Sequence, residues 1–190
     1  PMLLLPVGDV QYDGPGGAAD LPRLKRFLDW GVAHDAYFIG MGDMVDFLSP
    51  SNRTRLAQAG LYDTASTVID RAAMGLEDEL LAVLRDTKGR WLGMLQGHHY
   101  KVHLDGTTSD TRIAAALAAP FLGDCALLRL TFKDAKGGST NVKVWAHHGS
   151  SGGGRLPTAG RNQLYHQKVR YPSVRLFLMG HLPQLGHAVT

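Results

Sequence analysis

The chain has 190 residues, of which 44% are hydrophobic, and a formal net charge of +3. These values predict one domain, 1–190, with a single sizeable core. The basic residues are scattered, so the composition permits nucleic-acid binding without indicating it. The lone cysteine, Cys125, excludes an internal disulfide and a thiolate metal site, and its apolar neighbours favour a place in the core. No apolar run could span a bilayer and no signal peptide is evident, which predicts a cytoplasmic protein without a membrane partner.

Strand-like and helix-like segments alternate through the first half of the chain. Residues 2–7 form a nearly continuous apolar run, typical of a central strand covered on both faces. Asp20 is placed to cap a helix with an apolar stripe. The other predicted elements are a strand at 37–41, a turn at 49–52, a long amphipathic helix at 63–85 and a strand at 91–95.

The second half has a different pattern. Residues 125–132 and 141–146 alternate partly between apolar and polar, and they flank a turn-rich stretch, which predicts an antiparallel hairpin. A glycine-rich loop follows at 150–155. A short helix is predicted at 163–169 and a last strand at 174–179.

Five short segments each follow an apolar run and contain residues that commonly bind metals. They are Gly8-Asp9-Val10-Gln11, Gly42-Asp43-Met44-Val45-Asp46, Gly97-His98-His99-Tyr100, His147-His148-Gly149 and Gly180-His181. Open α/β sheets build their sites at the carboxyl ends of strands, so these segments are expected to bring carboxylates and imidazoles to one rim. The pattern indicates a metallohydrolase.

The ligand types can be assigned from the residues themselves. Asp9 and Asp43 directly follow a glycine at the end of an apolar strand, where the backbone can turn sharply and point a short carboxylate at an ion. His98, His148 and His181 would supply neutral nitrogen ligands. A pair of divalent ions further needs one carboxylate that bridges them.

The order of the motifs resembles the calcineurin-like metallophosphoesterase superfamily. The matching pattern is Asp-x-(His), Gly-Asp-x-x-Asp, Gly-(Asn)-His, His-Gly and Gly-His, and it covers the chain from Gly8 to His181. Residues 49–53, 148–155 and 178–181 further resemble uncharacterised phosphoesterases of bacteriophages and prophages, and this resemblance implies a bacterial or phage-infected host cell as the location. The resemblance implies an α/β fold, a β-sandwich of two mixed sheets flanked by helices in four layers (αββα). Because only nine residues follow His181, we expect either a minimal closing region or closing strands that this sequence lacks.

The resemblance also implies residue roles. Asp43 matches the carboxylate that bridges both ions, and Asp9 matches a ligand of the first ion. His98 stands where the family usually has asparagine, and it would complete the second ion's site with Asp43, His148 and His181. His148 is preferred over His147 because the family's ligand directly precedes glycine.

Two further residues match the family's catalytic pair. His99 matches the histidine that donates a proton to the leaving oxygen or stabilises charge on the phosphoryl group. Asp46 matches the acid that orients this histidine.

The first ion's site departs from the family pattern. Gln11 stands where the family has histidine, and Pro183 replaces the second histidine of Gly-His-x-His. The amide oxygen of Gln11 can still bind a metal, and an Asp-x-Gln variant resembles the manganese-dependent ADP-ribose and CDP-alcohol diphosphatase branch. We therefore expect two divalent metal ions, with Mn²⁺ suiting both sites and Zn²⁺, Fe or Mg²⁺ as alternatives.

These assignments predict a two-metal-dependent phosphoesterase. The preferred activity is a phosphodiesterase acting on a nucleotide or nucleic-acid type of phosphate ester through a hydroxide that bridges the metals. Alternatives are a phosphomonoesterase, including a protein phosphatase, and a non-catalytic metal-binding scaffold. Gly152 and Arg155 are predicted to contact the substrate phosphate from the glycine-rich loop, against the alternative of a merely flexible loop. Arg53, Lys101 and Tyr12 lie near motifs and are either substrate contacts or solvated surface.

Overall fold

The computed structural model describes residues 2–149 and 159–181, with the side chains of 159–161 excepted. The chain is α/β and divides into two compact units, Pro1–Gly123 and Asp124–Thr190. A small three-stranded sheet lies in each unit. The sequence-based expectation of one domain, 1–190, stays a prediction. Among the described residues, no helix has the length and apolar character needed to cross a membrane.

The first unit alternates strands and helices, as its sequence predicts. Its elements are β1 (Leu4–Val7), α1 (Leu21–Ala33), β2 (Tyr37–Gly40), α2 (Pro50–Gln58), α3 (Asp63–Leu84), a 3-10 turn (Arg85–Thr87), β3 (Trp91–Met94) and α4 (Ser109–Ala116). The sheet order is β1-β2-β3, and both neighbouring pairs are parallel. Helical crossovers join these strands, which makes parallel pairing the expected arrangement. The carboxyl ends of all three strands therefore lie at one edge of this sheet.

Two sequence-based expectations about this sheet need correction. The middle strand is β2, and β1 lies beside it with a largely half-buried surface, so the prediction of β1 as a central strand is wrong. The expectation of a mixed sheet also fails for these three strands, because each connection is a crossover that returns the chain in the same direction.

The helices of this unit pack an apolar core against the sheet. The buried core side chains include Leu28 of α1, Leu80 and Leu84 of α3, and Ile113 of α4, packed with Phe38 of β2. Burial of each such side chain contributes about 1.5–3 kcal/mol.

The starts of α1, α2 and α4 follow ordinary capping chemistry. The predicted cap of α1 is confirmed, because Asp20 accepts the N–H of Arg23 at 2.9 Å. The predicted turn at 49–52 is wrong: Ser49 accepts the N–H of Asn52 at 3.3 Å and Pro50 begins α2. Serine followed by proline also marks a helix start, since proline needs no hydrogen-bond acceptor in the first turn. Helix α4, which begins with a Thr108–Thr111 capping box, is not predicted from the sequence.

The second unit contains the predicted hairpin and a parallel third strand. Its described elements are β4 (Cys125–Lys133), β5 (Ser139–His147), α5 (Ala159–Arg170) and β6 (Leu176–Met179). Strand β5 pairs antiparallel with β4 and parallel with β6, so this sheet is mixed, as expected. Because β5 and β6 run in the same direction, His148 and His181 follow at the same edge.

Cys125 does not occupy the core position that its sequence neighbours suggest. The residue is exposed, and burial of part of the thiol raises its pKa. Burial alternates along most of β4, so only one face of the strand is shielded, and the prediction from the apolar run is wrong.

Candidate metal centre

Asp43 is buried at the carboxyl end of β2. It follows Gly42 (φ 90°) and itself has a left-handed backbone (φ 49°), and its side chain is 1% exposed. One carboxylate oxygen, Oδ1, accepts the N–H groups of His98 and of His99, the latter at 3.0 Å. Asp43 and His98 each offer a ligand atom, and these atoms lie within 4.8 Å of one another. The strand ends of the first unit thus bring a carboxylate and an imidazole together, as the motifs predict.

Gly97 makes this approach sterically feasible. A Cβ at this position would lie 2.1 Å from the backbone nitrogen of Asp43 and 2.2 Å from its Oδ1, which is far closer than real side chains allow. The N–H of Gly97 donates to Oδ2 of the buried Asp110 at 2.8 Å. Glycine is therefore required between β3 and the two histidines.

The segment that contains Asp9 and Gln11 runs alongside the residues after β2. The N–H of Asp9 donates to the Gly42 carbonyl at 3.0 Å, and the N–H of Gln11 donates to the Asp43 carbonyl at 2.9 Å. Asp9 is exposed and Gln11 is half-buried. Both predicted ligands of the first ion are thus fixed beside the backbone of the predicted bridging residue.

In the second unit, the last two motifs meet at the edge of the mixed sheet. The rings of His148 and His181 lie with centroids 5.1 Å apart, and their ligand nitrogens lie within 4.8 Å of one another. Gly149 (φ 109°) allows this approach, because a Cβ there would lie 2.6 Å from the Gly180 carbonyl oxygen. His148 is buried and His181 is half-buried.

His147 has a different environment from its neighbour. Its Nδ1 accepts the N–H of Gly149 at 3.1 Å, and its ring lies 5.5 Å from that of Trp145. Burial lowers the pKa of His147, with the adjacent His148 adding to the effect. These contacts favour a neutral supporting residue.

A buried group of aspartate and histidine residues could bind a metal ion. The group consists of Asp43, His98, His148 and His181, each of which offers one ligand atom. One carboxylate oxygen and three imidazole nitrogens form a donor set that fits Mn²⁺, Fe or Zn²⁺. The composition equals the ligand set that the resemblance implies for the second ion. Among the described acids and histidines, Asp9 does not belong to this group.

Strained backbone conformations concentrate at the predicted ligands. Six non-glycine residues of the described chain have positive φ, and four of them are Asp9 (50°), Gln11 (48°), Asp43 (49°) and His181 (53°). Left-handed non-glycine residues are uncommon, although aspartate and histidine tolerate the conformation better than glutamine does. Such residues cost on the order of 1–3 kcal/mol and cluster at functional sites. The strain is an observation independent of side-chain chemistry, and it includes both predicted ligands of the first ion.

The predicted catalytic pair is in direct contact. Nδ1 of His99 lies 2.6 Å from Oδ1 of Asp46, and both side chains are partly exposed. Because a carboxylate only accepts, Nδ1 must carry the proton in this hydrogen bond. The backbone carries this pair next to the ligands, since His99 follows His98 and its N–H donates to Asp43.

The residues considered as substrate contacts have other partners. Nη1 of Arg53 donates to three backbone carbonyls, those of Leu48, His98 and Tyr100. The hydroxyl of the buried Tyr12 donates to Glu79, which raises the pKa of Tyr12 to about 12. Lys101 is largely buried and lies 3.7 Å from Asp70. Gly152, Arg155 and Pro183 lie outside the described residues.

A buried charge network in the first unit is absent from the sequence-based prediction. His103 lies 3.0 Å from Asp70 through Nδ1 and 2.6 Å from Glu77 through Nε2. The second oxygen of Glu77 accepts from Arg112 at 2.7 Å, and this hydrogen bond raises the pKa of the guanidinium. The available signal was the seven-residue spacing of Asp70 and Glu77, which places two acids on the core face of α3. The network holds α3, α4 and the 101–108 segment together.

The chain was compared with protein-family models, with curated proteins and with solved structures, and none of the three comparisons found a match. The case for a function therefore depends on the residues and the geometry described above.

Proposed function

We propose that this protein is a metal-dependent phosphoesterase of the calcineurin-like type, with the corresponding four-layer sandwich fold. One observation carries the proposal: His98, a member of the Asp/His group, is followed directly by His99, whose ring is held by Asp46 at 2.6 Å. A metal ligand beside an oriented proton donor is the arrangement that metal-assisted hydrolysis needs.

Asp43, His98, His148 and His181 are proposed to hold one ion together. A bound divalent ion supplies a Lewis acid for phosphoryl oxygens and activates water as the nucleophile. The chain's own residues prepare the site beforehand, because backbone N–H groups fix the Asp43 carboxylate in position. A buried carboxylate with this much support favours a cation at a defined place.

His99 is proposed to donate a proton to the leaving oxygen. Its Nδ1 is hydrogen-bonded to Asp46, so Nε2 is the nitrogen proposed to donate the proton. The carboxylate fixes the orientation of the ring, and a ring with protons on both nitrogens is the form that can donate from Nε2. A scaffold without catalysis has no need for such a donor, and the pair therefore favours an enzyme over the scaffold alternative.

A second ion is proposed at Asp9, Gln11 and the shared Asp43. The support is the left-handed backbone of all three residues. Two hydrogen bonds also join the Asp9–Gln11 segment to the carbonyls of Gly42 and Asp43. Gln11 is a neutral ligand and weaker than histidine, so this ion should be the more loosely bound of the two. Mn²⁺ suits both the oxygen-rich and the nitrogen-rich donor sets.

A phosphodiester of the nucleotide type is the proposed substrate, and a phosphomonoester is the alternative. The experiment is hydrolysis of aryl phosphate monoesters and diesters by metal-stripped protein after addition of Mn²⁺. We expect turnover of the diester that requires the metal. Faster turnover of the monoester would reassign the substrate class, and no turnover of either ester by metal-loaded protein would favour the scaffold.

A further inference from the structure

The backbone of residues 97–100 is held by carboxylates on its N–H side. Gly97 donates to Asp110 at 2.8 Å, and His98 and His99 donate to the same oxygen of Asp43. Charged acceptors make stronger hydrogen bonds than neutral ones. Three successive amides are thus fixed by two buried acids, one of which belongs to the proposed metal site.

The carbonyl side of the same loop is held by α2 and the residues before it. Nη1 of Arg53 donates to the carbonyl of His98 at 2.6 Å and to that of Tyr100 at 3.1 Å. The carbonyl between them, that of His99, accepts the N–H groups of Phe47 and Leu48, each at 3.3 Å. Every carbonyl from His98 to Tyr100 therefore has a donor.

The guanidinium of Arg53 is itself fixed. It lies 3.9 Å above the ring of Tyr100 and also donates to the Leu48 carbonyl at 2.9 Å. Ser49 caps α2 four residues earlier, so the helix that carries Arg53 begins at a defined point. A planar guanidinium can combine stacking with several hydrogen bonds, whereas the ammonium of lysine provides a single point charge.

We infer that Arg53 is a positioning residue that sets the affinity of the metal centre and the placement of His99, by holding the carbonyls on both sides of that histidine. The inference rests on the proposed function, and it replaces the substrate-contact role that the sequence suggested for this arginine. Residues that orient metal ligands typically change metal affinity or activity 10–100-fold when they are removed, and we expect about this range for Arg53.

Arg53 also lines a cavity of about 690 Å³ whose walls include Thr54, Ile69 and Val102. Removal of the side chain would extend this space. A free guanidinium ion is expected to enter it and restore part of the lost hydrogen bonding.

The experiment compares Arg53→Ala with Arg55→Ala, an exposed arginine two residues further along α2. Co²⁺ binding is measured by the visible absorption of the bound ion, which reports on ligand geometry as well as affinity. We expect Arg53→Ala to bind Co²⁺ roughly 10–100-fold more weakly with an altered spectrum, and Arg55→Ala to match the wild type. Millimolar guanidinium chloride should return the Arg53→Ala spectrum towards that of the wild type.

A conservative variant keeps the test decisive if Arg53→Ala does not fold. Arg53→Lys keeps the charge but loses the planar group that stacks on Tyr100, so its Co²⁺ affinity should lie between those of wild type and Arg53→Ala. Wild-type affinity and spectrum in either Arg53 variant would overturn the inference while leaving the proposed function intact. A wild-type protein that binds no divalent ion would overturn both.

Discussion

Asp43 combines burial, a left-handed backbone and two accepted backbone hydrogen bonds. Its side chain is 1% exposed, its backbone is left-handed (φ 49°), and one carboxylate oxygen accepts two consecutive backbone amides. Burial of a carboxylate is costly unless hydrogen bonds or cations compensate for lost hydration. The cation proposed for this site would compensate for that cost.

Asp43→Asn should abolish metal binding and lower hydrolysis by a few orders of magnitude. The amide keeps the size of the side chain but loses the charge that the ion requires. The matched control is Asp35→Asn, since Asp35 is also a left-handed aspartate (φ 52°) but is exposed and lies 3.4 Å from Arg90. Metal content and turnover are measured on both variants, and unchanged turnover in Asp43→Asn would remove this residue from the site.

His99→Ala should keep its metal and lose about 10²- to 10⁴-fold in turnover, the range for loss of a positioned proton donor. The ring of His99 contacts Asp46 rather than the Asp/His group, so the ligands should remain in place. His34→Ala serves as control, because that histidine is exposed and stacks on Trp30. Loss of bound metal in His99→Ala would instead make His99 a ligand and contradict the assigned role.

At the scale of secondary structure, glycines determine how closely the strand-end loops approach. The contrast between Gly97 and Gly75 shows this: a Cβ at Gly97 would overlap Asp43, whereas Gly75 in α3 has open space around it. Both residues are glycines that follow apolar segments in the sequence, but only one is sterically required.

Gly97→Ala should destabilise the protein and lower its metal affinity, because either β3 or Asp43 must move. Gly75→Ala should stabilise it by about 0.5–1 kcal/mol, since alanine is favoured over glycine in a helix interior. Chemical denaturation and Co²⁺ binding of the two variants give the comparison. Equal stability and equal metal affinity in both would contradict the close approach.

The buried network between α3 and α4 should matter for folding. Glu77→Gln removes a charge that contacts both His103 and Arg112, and breaking a buried ion pair in this way costs about 3–5 kcal/mol. The neighbouring exposed residue provides the control: Asp78→Asn should change the free energy of unfolding by less than about 0.5 kcal/mol. A similarly small change for Glu77→Gln, measured by chemical denaturation, would show that the network contributes little.

The sequence predicts helices and strands well where one spacing of apolar residues runs through the whole segment. The apolar runs of β1, β2 and β3 and the long period of α3 lie within a few residues of their predicted places. Helix α2 is missed because Ser49 and Pro50 are typical of turns and of helix starts alike, and the structure decides between them.

The candidate site is only partly predictable for a different reason. The motifs and the family that they resemble predict His98, His99 and Asp46, which lie in short segments after β3 and β2. The sequence does not predict the positioning role inferred for Arg53, because its partners include backbone carbonyls 45 and 47 residues away. Hydrogen bonds to the main chain leave no residue-type signature at the partner position.

At the scale of the whole molecule, binding of the proposed ion is expected to be linked to folding. The proposed ligands Asp43, His98, His148 and His181 lie far apart along the sequence. An ion that requires all four ligands binds the folded chain and not the unfolded one. Its binding free energy therefore adds to the stability of the folded state.

Mn²⁺ should raise the thermal stability of metal-stripped wild-type protein. At a free concentration one hundred times the dissociation constant, the gain is about 2.7 kcal/mol. Asp43→Asn and His181→Ala should each lose most of this gain, whereas Asp35→Asn should keep it. A wild-type unfolding temperature that does not respond to Mn²⁺ would contradict a shared ligand set.

A Mn²⁺ titration of metal-stripped protein, with bound metal and hydrolysis of an aryl phosphate diester followed together, tests the central claim most directly. The proposed function predicts no turnover without metal. It further predicts a rate that keeps rising after one equivalent of metal is bound, because the site that contains Gln11 binds its ion more weakly than the histidine-rich site. Gln11→His should lower the Mn²⁺ concentration at half-maximal rate, and Gln11→Ala should raise it. Turnover by metal-free protein, or two bound ions without hydrolysis, would contradict a metal-dependent phosphoesterase.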